Sequence, residues 1–311
     1  MKKFIIIALT SIVFLPSCSF LANSLLYPNR QPIVKNPSDY EMKYEDVEFY
    51  SPDSVLINGW YIPANSEKLI VFTHPMNFTR YGYSIKHQKP FKITKVEVEF
   101  LNVVKQLHNA DYNVLMFDFR NHGESGKSSN NGITGVGINE WQDVQGAFQF
   151  IHNHARLKDM QKGIVANCMG ANSAIIALTK AQKELSDVKC LIAIQPISSD
   201  VFVDNFLKND YRYLYGLRNG IEKNCLKKGG YPFKTMTPEE YVDDIPVPVF
   251  YMQVENDDWT DINQVKSFYE KSPEPKELFL IPGKLERFDG YNYFGKHPEK
   301  MLEFLSKYMV N

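Results

Sequence analysis

Cys168 is the side chain in this sequence best placed to do chemistry. It stands in Gly163-Ile164-Val165-Ala166-Asn167-Cys168-Met169-Gly170-Ala171-Asn172. That stretch reads as a short apolar strand, a very tight turn, and a helix continuing through Ala174, Ile175, Ile176, Ala177 and Leu178. Ala166 and Gly170, two positions either side of the cysteine, are small. A strand reversing directly into a helix brings those positions together and forces the tip residue towards a strained backbone. A thiol held there lies over a helix N-terminus. Its thiolate is favoured, and the thiolate is the nucleophile.

Other chemistry-bearing groups are weaker candidates. His122-Gly123-Glu124-Ser125-Gly126-Lys127-Ser128 looks like the end of a phosphate-binding loop, but a full motif needs Gly at Asn121. Ser129-Asn130-Asn131-Gly132 follows and is loop composition, so a phosphate would lack the helix N-terminus it needs. His152 and His154 lie two apart on one expected helix and face different ways. No metal-ligand spacing appears, and no cofactor is required. A net charge of -1 gives no reason to expect nucleic acid. Four cysteines are too few for a disulfide scaffold. Cys190 falls in an expected central strand and reads as a free buried thiol, with pairing to Cys225 as the alternative.

The elements around Cys168 alternate strand and helix. Residues 47–50 and 55–64 read as a strand pair, 69–72 as an apolar strand, and 114–119 as another. Val96, Phe100, Val103, Val104 and Leu107 have helical spacing, as do Trp141, Val144, Phe148 and Ile151. Strands follow at 190–194, 247–254 and 278–281, and a helix from Pro298 closes the chain. This pattern predicts a mostly parallel sheet covered by helices on both faces. Ligands of such sheets sit beyond the carboxyl ends of the strands.

The loops at those ends carry a resemblance. Asp118-Phe119-Arg120-Asn121-His122-Gly123-Glu124-Ser125 resembles the D-x-R-x-x-G-x-S signature of the α/β-hydrolases, in the correct order before an elbow similar to their G-x-S-x-G. Ala166 replaces the first Gly and Cys168 the Ser, as Cys does in dienelactone hydrolases. The signature resembles that of the serine aminopeptidase and monoacylglycerol-lipase-like branch. The resemblance covers roughly 44–309 and implies an α/β-hydrolase fold with a core of 43–197 and 245–311 and a small cap inserted at 198–244. His122 is structural in that signature. Thr73-His74-Pro75-Met76-Asn77 resembles the oxyanion loop; Pro75 has no N–H, so Met76 or Asn77 would donate, with Met169 as the second donor. Glu255-Asn256-Asp257-Asp258 resembles the acid loop, making Asp257 the carboxylate that orients a histidine.

The base is the difficulty. The resemblance places a His shortly after the last strand, but residues 281–291 contain none. Two candidates remain. His297 precedes Pro298; a long loop, 284–296, would deliver it to the site, or it would cap a helix at the surface. Glu286 is the other candidate, and a Cys–Glu pair is a weaker acid–base system, because the leaving group needs a proton from a group titrating near neutrality. The implied function is cleavage of a carboxylic ester, thioester or lactone, with Cys168 attacking, Asp257 orienting His297, and a small acyl molecule as substrate. Two alternatives stay open: a catalytically silent envelope protein that binds a ligand or partner, and an aminopeptidase-like peptidase. The sequence leaves the oligomeric state open.

The N-terminus reads as an address. Lys2 and Lys3 precede an uncharged run, 4–15, of signal-peptide length. Leu15-Pro16-Ser17-Cys18 resembles a bacterial lipobox, implying removal of 1–17, lipid on Cys18, and a tether over 18–42 broken by Pro28, Pro32 and Pro37. Ser19 after the Cys favours an outer membrane, if the cell has one.

Overall fold

The computed structural model describes residues 18–88 and 93–310. The expected signal peptide, 1–17, lies outside them. A helix, α1, covers 18–26. Strands β1 (Glu45–Tyr50), β2 (Leu56–Ile62) and β3 (Lys68–Thr73) follow, then the two-residue strands β4 (Gly82–Tyr83) and β5 (Val98–Glu99). Next come α2 (Phe100–Asn109), β6 (Asn113–Phe117), α3 (Trp141–Asn153), β7 (Gln161–Asn167), α4 (Met169–Lys180) and β8 (Val188–Ile194). The insertion carries α5 (Ser199–Asn209) and α6 (Arg218–Lys227). The chain ends with β9 (Val249–Val254), α7 (Ile262–Lys271), β10 (Lys276–Ile281), α8 (Arg287–Lys296) and α9 (Glu299–Tyr308).

Eight strands form one sheet in the order β1-β2-β6-β3-β7-β8-β9-β10. β2 runs antiparallel to both its neighbours, and every pair from β6 to β10 is parallel. The central strands β3, β6 and β7 are almost continuously buried, with apolar runs at Leu69–Phe72, Val114–Phe117 and Ile164–Ala166, as strands covered on both faces must be. β7 lies in the middle, so its carboxyl end, and Cys168 after it, faces the centre of the crevice.

The signature loop holds that edge of the sheet together. The Arg120 guanidinium is buried between Asp143 and Asp53, at 2.7 and 2.6 Å. Asp118 accepts from the Arg80 backbone N–H at 2.6 Å and from its guanidinium. His122 and His74 stack edge-on at 5.2 Å, both fully buried. These groups are structural, in agreement with the role the resemblance gives His122.

Two segments differ from the sequence reading. The expected tether is docked chain: α1 buries Leu21, Ala22 and Leu26, and Arg30 donates to the carbonyls of Gly123 and Ser125 at 2.8 and 2.7 Å. All three prolines lie beyond residue 26, so nothing in 18–26 breaks a helix. The expected loop 284–296 is mostly α8. The Asp289 carboxylate accepts from the N–H of Glu286 at its N-terminus, at 3.1 Å, and Phe288, Tyr291 and Phe294 recur three apart on its buried side. Among the described residues no helix is long and apolar enough to cross a membrane.

Candidate active site

Cys168 occupies the turn between β7 and α4 with φ 51° and ψ −113°. That conformation is costly for a residue with a Cβ and persists only when its surroundings hold it. They do. The Cys168 N–H donates to the Ile194 carbonyl at 2.8 Å. Asn172, one turn into α4, donates to the carbonyls of Val136 and Ile197 at 3.0 and 2.8 Å and accepts from the Ile197 N–H at 3.1 Å. Gly170 has no room for a side chain: a Cβ there would lie 2.9 Å from Thr73 Cβ and 3.0 Å from the His74 carbonyl oxygen. The small residue two positions after the cysteine is thus required by Thr73 and His74 lying against the helix.

Cys168 lines an apolar cavity. Leu21 and Leu25 of α1, with Phe202, Val203, Phe206 and Ile221 of the insertion, form much of its wall. Met76 also lines it. Met169 opens α4, so its N–H belongs to the first turn, whose donors have no partner within the helix. Met76 thus lines the same cavity as Cys168, and Met169 is its neighbour in sequence.

Asp257 follows β9, and its carboxylate is 3 % exposed. It accepts from Thr260 Oγ1 at 2.7 Å, the Trp259 N–H at 2.9 Å and Gln253 Nε2 at 3.0 Å. Burial alone would raise its pKa, but the Arg287 charge and these hydrogen bonds outweigh it, and the pKa is lowered. Its partner is not an imidazole. Arg287 Nη1 donates to Asp257, and Nη2 donates to the Gln195 carbonyl at 2.7 Å. Gln195, itself at φ 51°, also donates from Nε2 to the Arg287 carbonyl at 2.8 Å. Arg287 lies six residues beyond the end of β10 and is 5 % exposed.

Arg287 and Tyr291 line the same cavity as Cys168, and the thiol is among the groups that shape the electrostatics of both. Burial works against the Arg287 charge. Tyr291, Asp257 and Cys168 more than offset that, so its pKa is raised and it stays a cation. Burial raises the Tyr291 pKa well above its ordinary value, keeping the phenol protonated.

The expected role of His297 is corrected. His297 caps the C-terminus of α8, is exposed, and stacks on Tyr293 at 4.9 Å. Because 287–296 is helix rather than loop, nothing delivers it to Cys168. Glu286 is exposed at the N-terminus of α8 and accepts from Thr94 Oγ1 at 3.3 Å; it does not line the cavity. Of the expected triad, the structure brings Cys168 and Asp257 to one site and seats Arg287 between them. Arg287, Gln195 and Tyr291 were missed by sequence reasoning. The available signal was the position of Arg287 in the very stretch searched for a histidine.

Residues 96–227 match the family described as alpha/beta hydrolase fold. A Pyrococcus furiosus esterase, Pf2001, superposes with TM-score 0.72 at 23% identity, over 92% of this chain and 99% of that one. The chain has the α/β-hydrolase fold. The acylaminoacyl peptidase of Pyrococcus horikoshii superposes with TM-score 0.60 at 19% identity, over 86% of this chain and 42% of that one. In sequence, the uncharacterized protein YqkD of Bacillus subtilis is 28% identical over 215 residues, which is 64% of this chain and 68% of YqkD.

Proposed function

We propose that this α/β-hydrolase cleaves acyl bonds at Cys168, taking substrates with an apolar acyl chain and a leaving group that departs without a proton. The observation carrying this is the thiol at the strained elbow, lining an apolar cavity together with a buried cation, Arg287. Sulfur attacks the acyl carbon, and the N–H groups of Met169 and of Met76 or Asn77 hold the oxygen that becomes negative. The carbon–leaving-group bond then breaks, leaving a thioester on Cys168. Amides fit poorly, because a departing amine needs a proton from a group titrating near neutrality, and Arg287 is a permanent cation. That chemistry disfavours the peptidase reading. The silent-binder reading draws on the same observation, an arginine where an imidazole would act as base.

Hydrolysis of short-chain p-nitrophenyl esters tests it. Release of p-nitrophenolate by the wild type, abolished in Cys168→Ala, supports the proposal. A folded wild type that releases none, with Cys168 inert to iodoacetamide, favours the silent binder.

We also propose that the chain is a lipoprotein of the cell envelope, anchored through Cys18, with an outer membrane favoured where the cell has one. Support comes from the lipobox-like Leu15-Pro16-Ser17-Cys18 and from the insertion beside α1. Residues 205–236 carry seven Lys and Arg against two Asp and Glu. Tyr213 is 88 % and Leu226 44 % exposed there, a composition suited to an anionic bilayer surface. Fatty-acid labelling of the expressed full chain, lost in Cys18→Ser, is the expected result. Labelling that survives Cys18→Ser sinks the anchor.

A further inference from the structure

We propose that this site is an acyl-transfer centre between thiols: Cys168 takes an acyl group from a thioester and passes it to a second thiol, and water is a poor acceptor. The inference rests on the acyl-cleavage reading above and names its substrate class.

The argument starts from what Asp257 holds. A histidine at that position would do two jobs: take the proton from the nucleophile, and later take one from water so that the acyl group is hydrolysed. Arg287 can do neither, because a guanidinium does not give up its proton in a protein. It is also fixed. Both its terminal nitrogens are engaged, one by Asp257 and one by the Gln195 carbonyl at 2.7 Å. The nearby imidazoles cannot substitute. His74 Nε2 accepts from the Phe119 N–H at 3.0 Å and His74 Nδ1 bonds the Pro75 carbonyl at 2.7 Å. His122 Nδ1 bonds the Arg120 carbonyl at 2.8 Å, and neither histidine lines the cavity. Tyr291 is held as a neutral phenol. Among the described residues, the cavity thus has a nucleophile, a countercharge and candidate oxyanion donors, and no base.

A thiol–thioester exchange needs nothing more. The Cys168 thiolate attacks the acyl carbon of the donor, forming a carbon–sulfur bond. The intermediate oxyanion collapses and the donor carbon–sulfur bond breaks, its electron pair leaving with the donor sulfur as a thiolate. One thiolate enters and one leaves, so no proton moves and Arg287 faces a single negative charge throughout. The acceptor thiolate repeats these steps in reverse, freeing Cys168. Free thiols ionise near pH about 8.5, so a fraction of acceptor is already charged at neutral pH. Water ionises at about 15.7 and needs a base.

The test uses the full chain and p-nitrophenyl butyrate as acyl donor. The expected wild-type result is a burst of about one p-nitrophenolate per chain, a butyryl mass on Cys168, and little release in water. A millimolar thiol such as N-acetylcysteamine should then restore turnover and yield its butyryl thioester. A general base is worth about 10²–10⁴-fold, so Arg287→His, which restores an imidazole beside Asp257, should raise turnover in water at least a hundredfold. Wild-type turnover in water that thiol does not accelerate overturns this inference and leaves the acyl-cleavage reading standing. A folded wild type with no acyl mass on Cys168 overturns both. The water-to-thiol partition is read on the wild type, so it holds even if a variant misfolds.

Discussion

Replacing Arg287 by Met should cost this fold more than almost any other single change near the site. Asp257 would keep its bonds from Thr260, Gln253 and the Trp259 N–H but lose its countercharge, with its carboxylate only 3 % exposed. Deleting one partner of a buried ion pair costs about 3–5 kcal/mol. The three surviving hydrogen bonds place the expectation at the lower end, about 3 kcal/mol. For a chain of this size that lowers Tm by about 6–12 °C, at about 2–4 °C per kcal/mol. Asp257→Ala should cost a similar amount from the other side, leaving Arg287 with only the Gln195 carbonyl. The double variant should fall short of the sum by about 1–3 kcal/mol, because it strands no charge. The pH dependence has a definite sign. The folded pKa of Asp257 lies below its ordinary 3.8. The stability it contributes is therefore whole above that value and is lost as pH falls through the folded pKa. The Arg287→Met deficit should be full at neutral pH and shrink in strong acid. Urea unfolding of the four proteins, followed by circular dichroism, measures this. An Arg287→Met cost under about 1 kcal/mol, or an additive double variant, would refute the buried pair.

Cys168→Ser should lose acylation by about 10²-fold or more, since a hydroxyl beside a cation with no base stays protonated; p-nitrophenolate burst amplitude and rate check it. Gly170→Ala should destabilise by about 1–3 kcal/mol, since the new Cβ meets Thr73 and the His74 carbonyl, and should slow acylation as the elbow shifts. His74 and His122 are each held by burial near pKa 3 against 6.5 unfolded. The unfolded chain binds protons there that the fold excludes, so stability is whole above about pH 6.5 and falls at about 1.4 kcal/mol per pH unit per histidine below it. Unfolding free energies from pH 7 to 4 should show that slope, and His74→Gln should flatten it.

Most of the sheet was legible because its signals are local. Short apolar runs such as Leu69–Phe72, bounded by turn residues and alternating with helical patterns, read as strands buried on both faces, and the small residues flanking Cys168 mark a tight reversal. The missed parts depend on what lies far away in sequence. Gly290 and Gly295 make 287–296 look like a loop. A Cβ at Gly290 would meet Val254 Cγ2 at 2.6 Å, so that glycine reflects close docking of α8 onto the end of β9. Once 287–296 is helical, His297 is carried to the surface and Arg287 is turned inward. An arginine after the last strand reads as solvent-facing until Asp257 and the Gln195 carbonyl are seen around it. The docking of 18–26 was hidden for a similar reason. Its apolar residues face partners two hundred positions later, among them Cys225, whose sulfur lies 3.9 Å from the Ala22 carbonyl.

The central claim is that Cys168 becomes acylated. Intact-mass and peptide mass spectrometry of the full chain after incubation with a short-chain acyl thioester tests it most directly. One acyl mass per chain, located on the peptide bearing Cys168, removed by added thiol and absent in Cys168→Ala, is the predicted result. A folded chain that gains no acyl mass, or gains it at another residue, would contradict the account.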